Sequence, residues 1–360
     1  VDAVQKKYNP ALKPRILAIN DDVTDIYSYD KYVTHQVTAS NIDEYVNLAR
    51  ELNAADHVKL VHVQHEFGLF GGDWGNHVMP FFQVIEKPVV VTFHTVLPNP
   101  EQKLLHIVQF ILQHAQAVVV MNQFSKEILQ EEYGAYDSQV FVIPHGIPHV
   151  ASPDGADEKK KLRIENHLVL STFGLLSRGK GIEYALAALP PVVKKVPDLL
   201  YLVIGVTHPV VRNQQGEEYR NFLHSEVKRL GLQDHVRFYN KYLSLEEIID
   251  FLKGTDIYVS PTLDQKQSVS GTLSYALGCG TPVVSTDSLY ARSIVTAGAG
   301  TLVPPKNPSA ITQALLDLCS DTKHLKDMRK TAFAETRHMT WPNVALSHFQ
   351  MYQKYARFVD

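Results

Sequence analysis

Residues 267–285 read Gln-Ser-Val-Ser-Gly-Thr-Leu-Ser-Tyr-Ala-Leu-Gly-Cys-Gly-Thr-Pro-Val-Val-Ser. The segment is a turn, then a helix start made of small residues, then a buried strand. Ser268, Ser270 and Gly271 leave backbone N–H groups uncovered at the helix N-terminus, an arrangement that binds anions such as phosphate. Gly280 and Pro282 stop the helix and open the strand. Residues 173–182, Phe-Gly-Leu-Leu-Ser-Arg-Gly-Lys-Gly-Ile, supply the complementary charge. A strand ends there, a glycine-bearing loop follows, and a helix begins with Arg178 and Lys180 at the turn. Two cations at such a place hold a departing phosphate oxygen, where negative charge develops as a bond breaks. The plainer reading is a pair of solvated cations. A helix start disfavours positive charge, however, unless an anion visits.

A second group of residues lies in the first half. His94 follows the apolar run 89–93, and a histidine at the carboxyl end of a parallel strand faces the ligand side of the sheet; a satisfied structural histidine is the alternative. Residues 64–75, Gln-His-Glu-Phe-Gly-Leu-Phe-Gly-Gly-Asp-Trp-Gly, are read as following another strand. The glycines, Gly71 and Gly72 among them, permit tight turns and close approach of backbone to a ligand. His65, Glu66 and Asp73 offer hydrogen bonds suited to sugar hydroxyls, and Trp74 offers an apolar stacking face. The alternative is a structural glycine turn. Weaker candidates are His208, after the strand ending at Gly205, and Asn240, after the strand 236–239. Pro144-His145-Gly146 reads as a hinge turn.

The elements that must position these residues are short apolar strands alternating with helices. In the first half, strands are expected at 15–19, 58–63, 89–93, 117–121 and 140–143, with helices at 42–52, 102–113 and 125–131 between them. The turn Asn20-Asp21-Asp22 closes the first strand. A break at 148–161 has the proline, glycine and charge of a linker. The pattern then restarts, with strands at 167–173, 199–205, 236–239 and 256–260 and helices at 182–194, 217–230 and 245–252. β-Branched runs alternating with helices indicate parallel sheets covered on both faces. Two doubly wound halves follow, and their ligands are expected outside the carboxyl ends of the strands, in an interdomain cleft. Helices are expected again at 309–318 and 344–358, with Trp341-Pro342 as an interruption.

Composition narrows the class. At 360 residues the chain suits two domains, and 45% hydrophobic with 20% charged residues is ordinary for a globular protein. A net charge of −3 gives no polyelectrolyte signal for nucleic acid. Cys279 and Cys319 are the only cysteines, too few for a disulfide framework. Seventeen histidines raise the question of a metal, but there is no Cys-x-x-Cys pair and no His-x-x-x-His pair on an expected helix, so neither metal nor cofactor is expected. No run has signal-peptide form or approaches the roughly 20 apolar residues of a membrane helix. The expected compartment is cytoplasmic. Oligomeric state is not legible.

The segment 267–285, the loop 173–182 and the histidine after the strand together resemble glycosyltransferase family 4, with its GT-B fold. The resemblance implies two Rossmann-like domains facing a cleft: an acceptor-side domain over 1–150, a donor-binding domain over 162–340, and a last helix over 343–360 that crosses back to the first domain. Leu346, Phe349, Tyr352 and Tyr355 would suit that docking. The family's phosphate loop has an arginine after its first glycine and a Lys-Gly pair at its close. Lys180-Gly181 matches, Leu175 stands at the arginine position, and Arg178 is the substitute three residues on. His94, Arg178 and Lys180 are therefore the expected catalytic residues. Gly174, Gly181, His208, Asn240, Gln267, Ser268, Ser270, Gly271, Thr272 and Tyr275 are the expected donor-binding residues. His65, Glu66, Gly71, Gly72, Asp73 and Trp74 are the expected acceptor-binding residues.

This chain departs from the family at two glutamates, which are replaced by Gln267 and Tyr275. The second glutamate accepts from ribose hydroxyls in the family, and a tyrosine cannot accept a bidentate pair as a carboxylate does. The resemblance implies a retaining glycosyltransferase that moves a sugar from an activated phosphate donor, chiefly a nucleotide sugar, to a carbohydrate or other hydroxyl acceptor. A glycoside phosphorylase using sugar 1-phosphate and a non-catalytic sugar-binding relative are the alternatives.

Overall fold

The computed structural model describes residues 13–21 and 28–356. Asp22 and Phe358, at the end of an expected turn and of an expected helix, lie outside the described residues. The described chain divides into two compact units, one running to His145 and resuming at Trp341, the other Gly146–Thr340.

The first unit holds two parallel sheets. β1 (Ile16–Asn20) pairs with β2 (Val33–Thr38), and β3 (Val61–His65), β4 (Val89–Phe93), β5 (Ala117–Val120) and β6 (Val140–Val142) pair in chain order. Alternate residues of β4 belong to different cores, as the two-residue period of a strand requires. Val89, Val91 and Phe93 join the main cluster with residues of the helices Ile42–Ala54 and Gln102–His114. Val90 joins Ala117, Val119 and Ile143 on the other side, where Val344 and Met351 of the helix Trp341–Tyr355 cover them. Tyr352 and Tyr355 border that contact. Each such fully buried aliphatic side chain stabilises the fold by about 1.5–3 kcal/mol.

The second unit is one six-stranded parallel sheet. β7 (Leu168–Phe173), β8 (Leu199–Ile204), β9 (Val236–Tyr239), β10 (Ile257–Ser260), β11 (Val283–Thr286) and β12 (Gly300–Val303) lie in the order β12-β11-β10-β7-β8-β9. The chain winds one way from β7 and the other way from β10. These two strands are neighbours, and their junction is the switch point where such sheets hold ligands.

Three local expectations are corrected. The stretch read as a linker contains a helix, Ala156–Leu162. Its lysines find acids of the same unit: Lys159 Nζ lies 2.5 Å from Asp256 and Lys161 Nζ 2.5 Å from Asp250. Trp341-Pro342 opens the last helix rather than interrupting one, since a proline's missing N–H is no loss in a first turn. Finally, β3 runs to His65 rather than ending at residue 63, which changes how the next segment is read.

Candidate functional site

The second unit builds a pocket at its switch point. β7 ends at Phe173, and Gly174 follows with φ +136°, a conformation that suits glycine. The loop then makes a single 3₁₀ turn, Arg178–Lys180, closed by Gly181 in the left-handed region at φ +62°. A Cβ at Gly181 would stand 2.2 Å from the carbonyl oxygen of Pro261. Glycine therefore lets the loop after β7 lie directly on the end of β10. The same turn brings Lys180 over Gly174, where a Cβ would sit 3.7 Å from Nζ and 3.4 Å from the methyl of Thr272.

The ammonium of Lys180 has no hydrogen-bond or ion-pair partner among the described residues, and burial lowers its pKa below the usual lysine value. An ammonium ion partly stripped of water and lacking a counter-charge is a site for an anion. Across the pocket, the helix Gly271–Gly278 begins. Ser270 caps it by accepting the N–H of Leu273 at 3.4 Å. The first N–H groups of a helix have no intrahelical acceptor. Gln267, Ser270 and Thr272 line one small pocket with Lys180, together with Thr172, Phe173, Tyr258, Ser260, Pro261 and Thr262. The backbone carbonyl of Gln267 accepts from Tyr290 N at 3.0 Å, which pins the turn at the edge of the pocket. Ser268 is buried beside it.

Other expected donor residues fall elsewhere. Arg178 is exposed, 2.7 Å from Glu218, and lies over the rings of Tyr219 and Phe222 at 5.7 and 5.4 Å. It is not among the residues that line the Lys180 pocket. Within a single 3₁₀ turn, residues two apart point in different directions. Tyr275 is half-buried and packs against the cluster containing Tyr258, Leu273 and Ala276, outside the residues that line the pocket. His208 caps the helix Pro209–Gln215; its Nδ1 is buried without a partner among the described residues. Asn240 is exposed after the edge strand β9. Sequence reasoning missed Thr172, Tyr258, Ser260 and Thr262. Ser260 ends an expected strand, but nothing local says that this strand lies beside β7.

In the first unit, the ends of β3 and β4 bring His94, Glu66 and Thr95 together. His94 Nε2 lies 2.9 Å from Oε1 of Gln64. Burial lowers the His94 pKa, and the nearby Glu66 carboxylate opposes this. Glu66 accepts the N–H of Phe67 at 3.0 Å and the hydroxyl of Thr95 at 2.7 Å.

His65 is a correction. It is the last residue of β3, not the first of a loop, and is wholly buried. Its ring packs against Phe93, Phe67 and Phe70 at centroid distances of 5.0, 5.1 and 5.4 Å. It is not presented to any acceptor. Burial first, then the charge of His94, lowers its pKa to about 4, so it is neutral. The glycines beyond it build a turn. A Cβ at Gly71 would stand 2.1 Å from the carbonyl of Ala39, and one at Gly72 would stand 2.0 Å from Oδ1 of Asn76. Trp74 sits in the left-handed region at φ +55°, and its indole N–H donates to Glu101 at 2.5 Å. Asp73 pairs with Lys103. The loop is thus tied to the helix Gln102–His114 and to the residue before it.

Among the described residues, no three His, Cys, Asp or Glu side chains are grouped to hold a metal ion. No helix among them is long and apolar enough to cross a membrane.

The sequence profile described as Glycosyl transferases group 1 matches residues 154–335, and that described as Glycosyltransferase Family 4 matches residues 23–150. A phosphatidyl-myo-inositol mannosyltransferase of Mycolicibacterium smegmatis is 25% identical over 277 residues, 75% of this chain and 66% of that protein. A D-inositol 3-phosphate glycosyltransferase of Corynebacterium urealyticum is 24% identical over 252 residues, 68% of this chain and 58% of that protein. This chain spans 58–66% of the length of these two curated relatives. The solved structure of Anabaena HepE in complex with UDP matches with a TM-score of 0.73 at 17% identity, covering 90% of this chain and 86% of that one. At that identity the likeness is one of fold, and the fold is the GT-B class expected from the sequence.

Proposed function

This chain belongs to the family 4 glycosyltransferases, and from that premise we propose that it moves a sugar from a nucleotide sugar to a hydroxyl acceptor with retention at the reacting carbon. The observation that carries the reading is Lys180. Its ammonium is partly desolvated, has no partner among the described residues, and shares a switch-point pocket with the start of the helix Gly271–Gly278. The donor's phosphate is placed against Lys180 and the N–H groups near Ser270 and Gly271. Lys180 then balances the negative charge that grows on the leaving phosphate. That interaction is stronger in the transition state than in the ground state. The leaving phosphate helps take the acceptor's proton, so no strong protein base is required. Gln267 offers an amide oxygen to a sugar hydroxyl. His94 makes a hydrogen bond to the transferred sugar, and the acceptor is placed at Glu66 and the loop 71–74.

A second reading has its own support. The residues lining the pocket include no carboxylate, so nothing there accepts two ribose hydroxyls together. A phosphorylase using sugar 1-phosphate needs no ribose contact. Thermal unfolding with UDP, GDP, ADP, glucose 1-phosphate and free sugars separates the readings. A ligand at 100 times its Kd adds about 2.7 kcal/mol of stability. Stabilisation by one nucleoside diphosphate, lost in Lys180→Ala, supports the transferase. Stabilisation by sugar phosphate alone supports the phosphorylase, and by free sugar alone a binding protein.

A further inference from the structure

Gln64 belongs to none of the residue sets assigned above, yet it bridges two histidines. Its Oε1 lies 2.9 Å from His94 Nε2, and its Nε2 lies 3.2 Å from His62 Nε2. An amide oxygen only accepts and an amide nitrogen only donates. The bridge in this sense requires a proton on His94 Nε2 and a bare Nε2 on His62. His62 then carries its proton on Nδ1, 2.5 Å from the hydroxyl of Tyr352 in the last helix. The hydroxyl of Thr92, 2.7 Å from His62 Nε2, adds a second donor to the same lone pair. His62 is thereby held on both ring nitrogens, by β4 on one side and the last helix on the other.

The consequence falls on His94. With Nε2 committed to Gln64, its Nδ1 is the nitrogen left bare, and Nδ1 has no partner among the described residues. We infer that Gln64, anchored by His62, is a positioning residue that fixes the Nε2–H tautomer of His94, so that His94 meets the sugar as a hydrogen-bond acceptor for a hydroxyl and not as a donor. This rests on the sugar-transfer reading for the identity of the ligand, but the tautomer does not. A histidine without such a partner exchanges between its two neutral forms. Each exchange would present the sugar with a proton where it needs a lone pair. Fixing the tautomer through the far nitrogen is the usual way a ring is readied for one role.

The test is nitrogen-15 NMR of the histidines in the full chain at pH 8, with the His94 signals identified by their loss in His94→Gln. Wild type is expected to show a protonated-type Nε2 and a bare-type Nδ1. Gln64→Ala should average the two His94 nitrogens, and Gln64→Glu, which still accepts, should restore the fixed pattern. Averaged nitrogens in wild type, a proton fixed on Nδ1, or a His94 pattern indifferent to Gln64→Ala would each overturn the assignment. Hydrolysis of UDP-glucose and GDP-mannose gives the functional arm. Gln64→Ala should lower turnover on the order of 10- to 100-fold with little change in KM, and Gln64→Glu should recover part of it. A fixed tautomer in a protein that hydrolyses neither compound would count against the sugar reading and leave the positioning role standing.

Discussion

Lys180 Nζ lies 3.7 Å from the point a Cβ on Gly174 would occupy, and the methyl of Thr272 lies 3.4 Å from that same point. Two residues of one loop and a third some ninety positions on thus converge where β7 ends and the helix Gly271–Gly278 begins. Gly174 serves the backbone there, since a φ of +136° suits glycine, and the loop it turns sets the ammonium beside the helix start.

Lys180→Ala is expected to reduce sugar transfer by roughly 100-fold or more, the scale of one contact to charge developing in a transition state. Thermal stability should be unchanged or slightly higher, because a desolvated, unpaired charge is removed. Arg178→Ala, by contrast, breaks an exposed ion pair with Glu218, which is worth at most about 1 kcal/mol, and should leave turnover within a few-fold of wild type. Equal losses in the two variants would return Arg178 to the phosphate site.

Gly181→Ala tests the loop. A Cβ there meets the Pro261 carbonyl at 2.2 Å, and the backbone sits at φ +62°. The expected outcome is a stability loss of about 1–3 kcal/mol from backbone strain alone, with loss of nucleotide-induced stabilisation as Lys180 is displaced. Denaturant titration and thermal shift with UDP and GDP measure both. A Gly181→Ala variant as stable and as responsive as wild type would disprove the packing of this loop on β10.

Buried neutral histidines give a signed pH dependence. Burial, assisted by the charges of His348 and His94, lowers the His62 pKa to about 3, and burial lowers that of His65 to about 4. Both lie below the unfolded value of about 6.5. The stability they confer is fully present above pH 6.5 and is lost as pH falls toward those values, because the unfolded chain takes up protons that the folded chain refuses. Each contributes a slope of about 1.4 kcal/mol per pH unit across its window. Urea unfolding from pH 8 to pH 4.5 should show this slope. His65→Phe, which suits the aromatic cage, should remove one histidine's share. A slope unchanged by His65→Phe would mean that His65 reaches solvent.

Tyr275 is half-buried against an apolar cluster. Tyr275→Phe keeps the ring against that cluster and is expected to cost less than Tyr275→Glu. Tyr275→Glu should destabilise by about 1–3 kcal/mol, the usual penalty for a buried polar group with no partner, without improving affinity for UDP or GDP. Tighter nucleotide binding by Tyr275→Glu would instead place position 275 on the ribose.

Much of the architecture was legible from local chemistry. Apolar runs bounded by glycine, proline and aspartate mark β4, β7 and β8, because a strand buried on both faces leaves little room for polar residues. The turn at Lys180-Gly181 and the small-residue helix start at Ser270-Gly271 are local too, since glycine's backbone freedom and a helix's orphan N–H groups need no distant partner. Even the family was carried by these segments. The helix Thr322–Glu335 escaped notice because few of its residues are buried, Leu325, Met328 and Ala332 among them, which leaves a weak periodic signal. What the tertiary structure decided was adjacency. The strand order that sets β10 beside β7 brings Ser260 and Thr262 to Lys180, and no spacing in the chain encodes it. Arg178 turns to Glu218 because the helix Glu218–Arg229 offers it a carboxylate and aromatic faces. His65 is enclosed because β3 runs to that residue, and a strand's two-residue period then sends its ring into the core. Local sequence fixes the backbone and its caps through short-range sterics and hydrogen bonds. Which side chains share a pocket depends on packing between segments far apart in the chain.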